Sequence, residues 1–229
     1  MKKTTGIFIV LILVFITNSS LLYAQSTPHK EKSTPKADSV KVKNMTDAHY
    51  SAYSSPKNAK ASNGEAHSDN IPKLIIGQFP AKGLYLYLDT VKLNILSWPS
   101  FYEKPFLAHD LYFVNHRDSA VEINAQDSRL KIIAEVLNKE GKWVPIEYFA
   151  SSTCGNSYHT VTLDKMEYWK FSVPVFEGPY KTKLRYTFHG SKGWQITSNE
   201  TVVYIHPDQM DPLTVKGYKP KNLMDPNRK

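Results

Sequence analysis

Cys154 and His159 enclose the segment Cys154-Gly155-Asn156-Ser157-Tyr158-His159. A thiol beside an imidazole is the pairing that makes a thiolate nucleophile. Gly155 and Asn156 read equally as turn residues, no third orienting group stands nearby, and no local cysteine-protease signature surrounds Cys154. The expected state of Cys154 is therefore a small, buried or half-buried thiol. Intermolecular pairing comes next, and a cell-envelope hydrolase using Cys154 and His159 is the alternative. A lone cysteine makes no internal disulfide, so the fold must rest on an apolar core.

The remaining histidines, His109, His116, His189 and His206, lack metal-ligand spacing, and there is no HExxH, paired CxxC or Asp-rich calcium loop. No GxSxG, P-loop or dinucleotide fingerprint occurs either. No metal, no cofactor and no catalytic residue is expected.

Two features carry binding chemistry. Lys181, Lys183, Arg185 and His189 fall on the outward positions of one strand, where successive side chains stand about 6.6–6.8 Å apart. Such a stripe grips an anionic polysaccharide or a phosphate headgroup; its plainer reading is a solvated face, or charge that discourages edge pairing. Trp98, in Ser97-Trp98-Pro99, and Trp194, in Gly190-Ser191-Lys192-Gly193-Trp194, sit in loops. An exposed loop indole is a stacking platform for a sugar ring or a protein partner; the plainer reading folds it back over the end of the fold.

The elements that position these residues follow a period of two. Strand-like runs occur at Leu84–Leu88, Val91–Leu96, His109–His116, Val121–Asn124, Leu130–Leu137, Trp143–Phe149, His159–Leu163, Tyr168–Val173, Lys181–Phe188 and Thr201–His206. Leu130, Ile132, Ala134 and Val136 share one face, as do Thr182, Leu184, Tyr186 and Phe188, and Asn138–Gly141 is a hairpin turn. Short strands with frequent turns and no helical window predict an all-β antiparallel β-sandwich of about seven to nine strands over residues 73–206.

Ahead of it, Lys2 and Lys3, the apolar run Gly6–Ile16 and the close Leu22-Tyr23-Ala24 have the order of a secretory signal peptide over residues 1–24. The run is shorter than the roughly 20 apolar residues that span a bilayer. The protein is thus expected to be exported, to the periplasm, the cell surface or the medium. The alternative is an inner-membrane anchor through an uncleaved N-terminal helix, the chain's sole membrane contact. Residues 25–72 are rich in Ser, Thr, Lys, Pro and Asn and read as a disordered linker; 207–229, with four prolines, read as a flexible tail. The formal charge of +8 is spread over leader, linker and tail as much as over residues 71–206, which are close to neutral. A nucleic-acid partner, which needs basic charge concentrated on one domain, is not expected.

Leu163–Phe171 (LDKMEYWKF) followed by Gly178-Pro179-Tyr180 and a basic/apolar strand resembles the E–F corner of immunoglobulin-like and fibronectin type III-like bacterial modules. The chain is also similar, through CGNSYH at Cys154–His159, to uncharacterised secreted proteins of the Bacteroidota. The resemblance covers roughly residues 107–206 and implies a sandwich in which a Gly-x-Tyr pair opens the penultimate strand, with Trp143 and Trp169 as core tryptophans. The Cys-Trp-Cys set of antibody domains is absent. Asp38-Ser39-Val40, Asp89-Thr90-Val91 and Asp118-Ser119-Ala120 resemble the O-glycosylation acceptor of that group, which implies modification at Ser39, Thr90 and Ser119. Asn44-Met45-Thr46 and Asn199-Glu200-Thr201 match the N-glycosylation pattern, which counts only in a eukaryotic host. The expectation is a non-enzymatic secreted or envelope-associated module that binds a glycan or a protein partner. A purely structural envelope subunit, crosslinked through Cys154, is a further alternative.

Overall fold

Alternating apolar residues must bury one face of a strand, and here two sheets bury theirs against each other. The computed structural model describes residues 41, 50–55, 70–77, 79, 82–97, 104–147, 149, 152 and 154–211, all within one compact unit, Lys36–Lys229. The expected leader, Ser39 and Trp98 lie outside the described residues. Among the described residues no helix is long and apolar enough to cross a membrane.

Eleven strands are present among the described residues, more than the seven to nine expected. They are β1 (Lys73–Leu74), β2 (Gly83–Leu96), β3 (Phe106–His116), β4 (Val121–Gln126), β5 (Ile132–Leu137), β6 (Trp143–Pro145), β7 (Tyr158–Leu163), β8 (Glu167–Pro174), β9 (Tyr180–His189), β10 (Gln195–Thr197) and β11 (Thr201–Ile205). One sheet has the order β1-β8-β3-β2; the second runs β10-β9-β5-β6, with β11 also on β9; β4 and β7 form a separate pair. Every pairing is antiparallel. The fold is an all-β sandwich. The strands that no expected run covers are β1 and β10, of two and three residues, too brief to carry a readable alternation. Two strands rather than one follow β9, and both pair with it, so the strand opened by Tyr180 is not the penultimate one.

The core is aromatic. Phe113 of β3 stands edge-on to Phe188 of β9 at 5.1 Å and to Trp169 of β8 at 6.0 Å, which joins the two sheets directly. Trp169 is fully buried. Trp143, the other expected core indole, is only half-buried and lies beneath the Arg185 guanidinium at 4.2 Å. Leu130, Ile132, Ala134 and Val136 all enter the core, as do Leu184, Tyr186 and Phe188. Gly178 fixes the approach to β9: a Cβ there would lie 1.9 Å from the carbonyl carbon of Ile205, so no other residue lets the chain pass the end of β11.

Two expected boundaries are corrected. Residues 50–55, assigned to the disordered linker, are part of the fold. Tyr50 (2 % exposed) and Ala52 (0 %) belong to the core, and Ser51 bridges Arg129. Leu130 N–H donates to Tyr50 O at 2.9 Å and Ala52 N–H to Ser128 O at 2.7 Å. The physical reason is local: Tyr50 and Ala52 flank Ser51 at a spacing of two, so a two-residue inward face suffices to seat the segment through a single bridge. In the expected tail, Pro207–Met210 forms a 3-10 turn with Gln209 buried, and Met210 packs on the core.

Candidate binding surface

The Cys154–His159 pair is not assembled. Cys154 is exposed, not the buried or half-buried thiol expected, because it sits in the loop ahead of β7; its N–H donates to Ser152 Oγ at 3.1 Å. The imidazole of His159 turns to the hairpin between β4 and β5. Its Nδ1 lies 3.2 Å from Ser157 O and its Nε2 3.3 Å from Ser128 Oγ. A carbonyl only accepts, so Nδ1 carries the proton and Nε2 receives the serine hydroxyl. Ser128 and Asp127, at φ 59° and 50°, are the central residues of a two-residue turn closed by reciprocal Gln126–Arg129 bonds of 2.8 and 3.0 Å, the type I′ geometry that fits strand twist. One imidazole nitrogen thus braces this turn, and the other holds the carbonyl at the start of its own strand. Among the described residues no three or more His, Cys, Asp or Glu side chains converge as a metal would require.

The cation row is compensated by its own sheet. Strand β9 is central, flanked by β5 on one side and by β10 and β11 on the other, so its charges do not guard an edge. Arg185 Nε donates to Glu135 Oε2 at 2.8 Å, and Thr187 Oγ1 shares that oxygen at 2.6 Å. Lys183 pairs with Glu200 at 2.9 Å, and Lys181 lies 6.0 Å above the Tyr204 ring. His189 Nδ1 meets Gln195 Nε2 at 3.0 Å. Burial holds the His189 imidazole below its ordinary value near 6.5, with Glu135 acting in the opposite sense and Lys131 assisting. The expected anion grip is therefore largely spent on neighbours.

Trp194 folds back: its ring meets Phe188 edge-on at 5.1 Å and lies on Gly190, whose Cβ would strike the indole at 2.1 Å. It is still 37 % exposed. Thr90 and Ser119 are exposed. Asn199 is engaged on both sides of its amide: Leu88 N–H donates to its Oδ1 at 2.8 Å, and its Nδ2 donates to Leu88 O at 2.9 Å.

Two surfaces were not singled out from the sequence. The first is the outer face of the four-stranded sheet. There Tyr87, Tyr112 and Tyr168, one on each of β2, β3 and β8, converge beneath Phe79, whose ring lies 6.4, 5.2 and 5.0 Å from theirs. Beside them Asp110 is fully buried. It accepts from Asn94 Nδ2 at 2.7 Å and Tyr112 Oη at 3.2 Å, with Lys170 Nζ at 3.3 Å. Asp89 stands directly across the strand pair, a like-charge juxtaposition that destabilises a sheet and that these donors offset. Burial, then Asp110, pushes the Tyr112 phenol well above its ordinary range.

The second is the outer edge of β2. Its pairing with β3 passes from Asp89↔Asp110 to Asn94↔Ala108, so Thr90–Leu93 stand out of register. Val91 is 94 % exposed, Leu93 53 % and Ile95 54 %. These alternate positions make an aliphatic stripe on the strand that ends its sheet. At Leu88 the Asn199 amide imitates a partner strand and covers the edge; further along, Asp89 Oδ1 accepts from Val91 N–H at 3.0 Å and His109 Nδ1 lies 3.5 Å from Lys92 O, while the Val91, Leu93 and Ile95 side chains stay exposed. The signal in sequence was the alternation Val91, Leu93, Ile95, read as strand but silent on which face is solvent.

No family model matches the chain, and a search of curated proteins finds no significant relative.

Proposed function

We propose that this protein is an exported, non-enzymatic binding module whose partner is a protein presenting an extended segment to the outer edge of β2. The observation that carries this reading is the Val91, Leu93 and Ile95 stripe. An edge strand that leaves register and exposes aliphatic side chains at alternate positions is a template for another strand, and main-chain bonds plus alternate side-chain contacts are how sheet edges recognise peptides. Soluble proteins bury or charge such edges; here Asn199 covers Leu88, and the side chains of Val91, Leu93 and Ile95 remain exposed. Export is supported by the basic, apolar and polar order of residues 1–24. A non-catalytic role is supported by the way His159 and Cys154 are held apart from one another's chemistry.

A photo-crosslinking residue in place of Leu93 should, in the native host, give one discrete adduct that disappears when Val91→Lys is added. The same probe replacing the exposed Lys165 should give none. Absence of any adduct from position 93 refutes the assignment.

A second reading, glycan binding, has the Tyr87, Tyr112 and Tyr168 cluster in its favour, since such rings stack on sugars. Phe79 covers that cluster, so the protein edge is preferred. Phe79→Ala would create or raise polysaccharide affinity if the glycan reading were correct.

A further inference from the structure

The segment Tyr50–Ser55 meets the sandwich as a ligand meets a groove. Tyr50 inserts its ring between Phe171 at 5.7 Å and Tyr186 at 6.4 Å. Its hydroxyl donates to Glu147 Oε2 at 2.8 Å, the oxygen that also takes Ala134 N–H at 2.9 Å. Downstream, Trp169 Nε1 donates to Tyr53 O at 2.9 Å, and Thr162 N–H donates to Ser54 Oγ at 2.8 Å. Asn70 Nδ2 donates to Ser51 O at 2.9 Å. Apart from this bond and that from Tyr53 N–H to Asn70 O at 3.4 Å, the partners are distant in sequence, and residues 56–69 are the covalent join to the strands that follow.

We infer that the groove formed by residues 128–130, Glu147, Thr162 and Trp169 is a strand-acceptor site that also takes Tyr50–Ser55 of a second copy of this chain, giving a strand-exchanged assembly. The occupant is fixed by identity: a second copy carries the same Tyr50 ring, the same Ala52 and the same backbone bonds, so every contact made within one chain is reproduced between two. Exchange of an identical element is a low-cost route to assembly, and completion of a sandwich by a neighbour's strand is a known mode of β recognition. A short join gives the internal segment an effective concentration on the order of a millimolar. Exchange is therefore minor in dilute solution and grows where copies are held at comparable density.

The full chain with Cys154→Ser provides the test. The Ser51↔Arg129 bridge puts two Cα atoms about 4.5–5.5 Å apart, within disulfide reach. With Ser51→Cys and Arg129→Cys in one chain, diamide oxidation should give a monomer whose link verifies the docked segment. With the two substitutions on separate chains, incubation near millimolar concentration before oxidation should give a 51–129 linked heterodimer, identified by peptide mapping. Its yield should rise with concentration and fall at least tenfold with excess peptide spanning residues 47–56, or with Tyr50→Ala on the Ser51→Cys chain. Efficient closure within one chain but no 51–129 heterodimer, or a heterodimer indifferent to the peptide, overturns strand exchange. Failure to close within one chain overturns the docking itself. Neither result touches the β2 edge.

Discussion

Two short segments of this chain invert the usual relation between composition and burial. Tyr50–Ser55 is mostly serine and tyrosine, and it lies against the core with Tyr50 and Ala52 inaccessible. Val91–Ile95 carries three aliphatic residues at alternate positions, and all three face solvent. What separates them is partners rather than polarity. The first segment has a groove supplying a donor or acceptor for its backbone and for the Tyr50 hydroxyl. The second leaves the β3 register just where its side chains would need cover. A buried polar group is tolerated when it is hydrogen-bonded, whereas an exposed apolar stripe on a sheet edge is a standing invitation to another chain.

The contrast breaks most visibly at Tyr50. Tyr50→Ala opens a cavity between Phe171 and Tyr186 and should cost about 4 kcal/mol, read from urea midpoints. Tyr50→Phe keeps the ring and loses the bond to a buried carboxylate, for about 2 kcal/mol. If Tyr50→Ala left the midpoint unchanged, the segment would not belong to the core. Asn199→Ala strips the amide from Leu88 and should cost about 1 kcal/mol, while light scattering shows more self-association because the covered half of the β2 edge becomes like the bare half.

His189 is the intermediate case, a half-buried imidazole held below its ordinary value. Between 6.5 and its lowered folded value, the unfolded chain binds the extra proton, so stability rises with pH there and is lost as pH falls below about 6.5. Above that range the residue has no pH effect. His189→Gln should flatten this part of a stability–pH curve; a curve identical to that of the unaltered chain would show that the imidazole is not held neutral. The smallest effect belongs to the stripe. Val91→Lys with Leu93→Lys should move the midpoint by no more than about 0.5 kcal/mol, and a large loss would mean that those side chains pack in solution.

The sandwich was legible because its alternation is long. The inward row Leu184, Tyr186 and Phe188 repeats at period two, and the Asn138–Gly141 turn has its own chemistry: Asn138 Oδ1 accepts from Glu140 and Lys142 N–H at 3.1 and 2.8 Å. The site was less legible because its partners are remote. Asp110 lies within the His109–His116 run, and its donors come from residues 94, 112 and 170, which only strand pairing brings together. The Lys181, Lys183, Arg185 stripe was placed on the correct face, but Glu135 and Glu200, which answer two of its charges, reach it only through strand pairing. Tyr50 was missed because two inward positions among serines fall below any window that periodicity can use.

Mechanics gives the docked N-terminal segment a further meaning. The bonds from Leu130 to Tyr50 and from Ala52 to Ser128 run across the strand direction, as in any antiparallel pair. A pull applied ahead of Tyr50 along the segment's own axis therefore loads them together, with the Tyr50 ring as a wedge behind them. Tension on that side of the chain would be met first by this joint, before it reaches residues 56–69 or any strand of the sandwich.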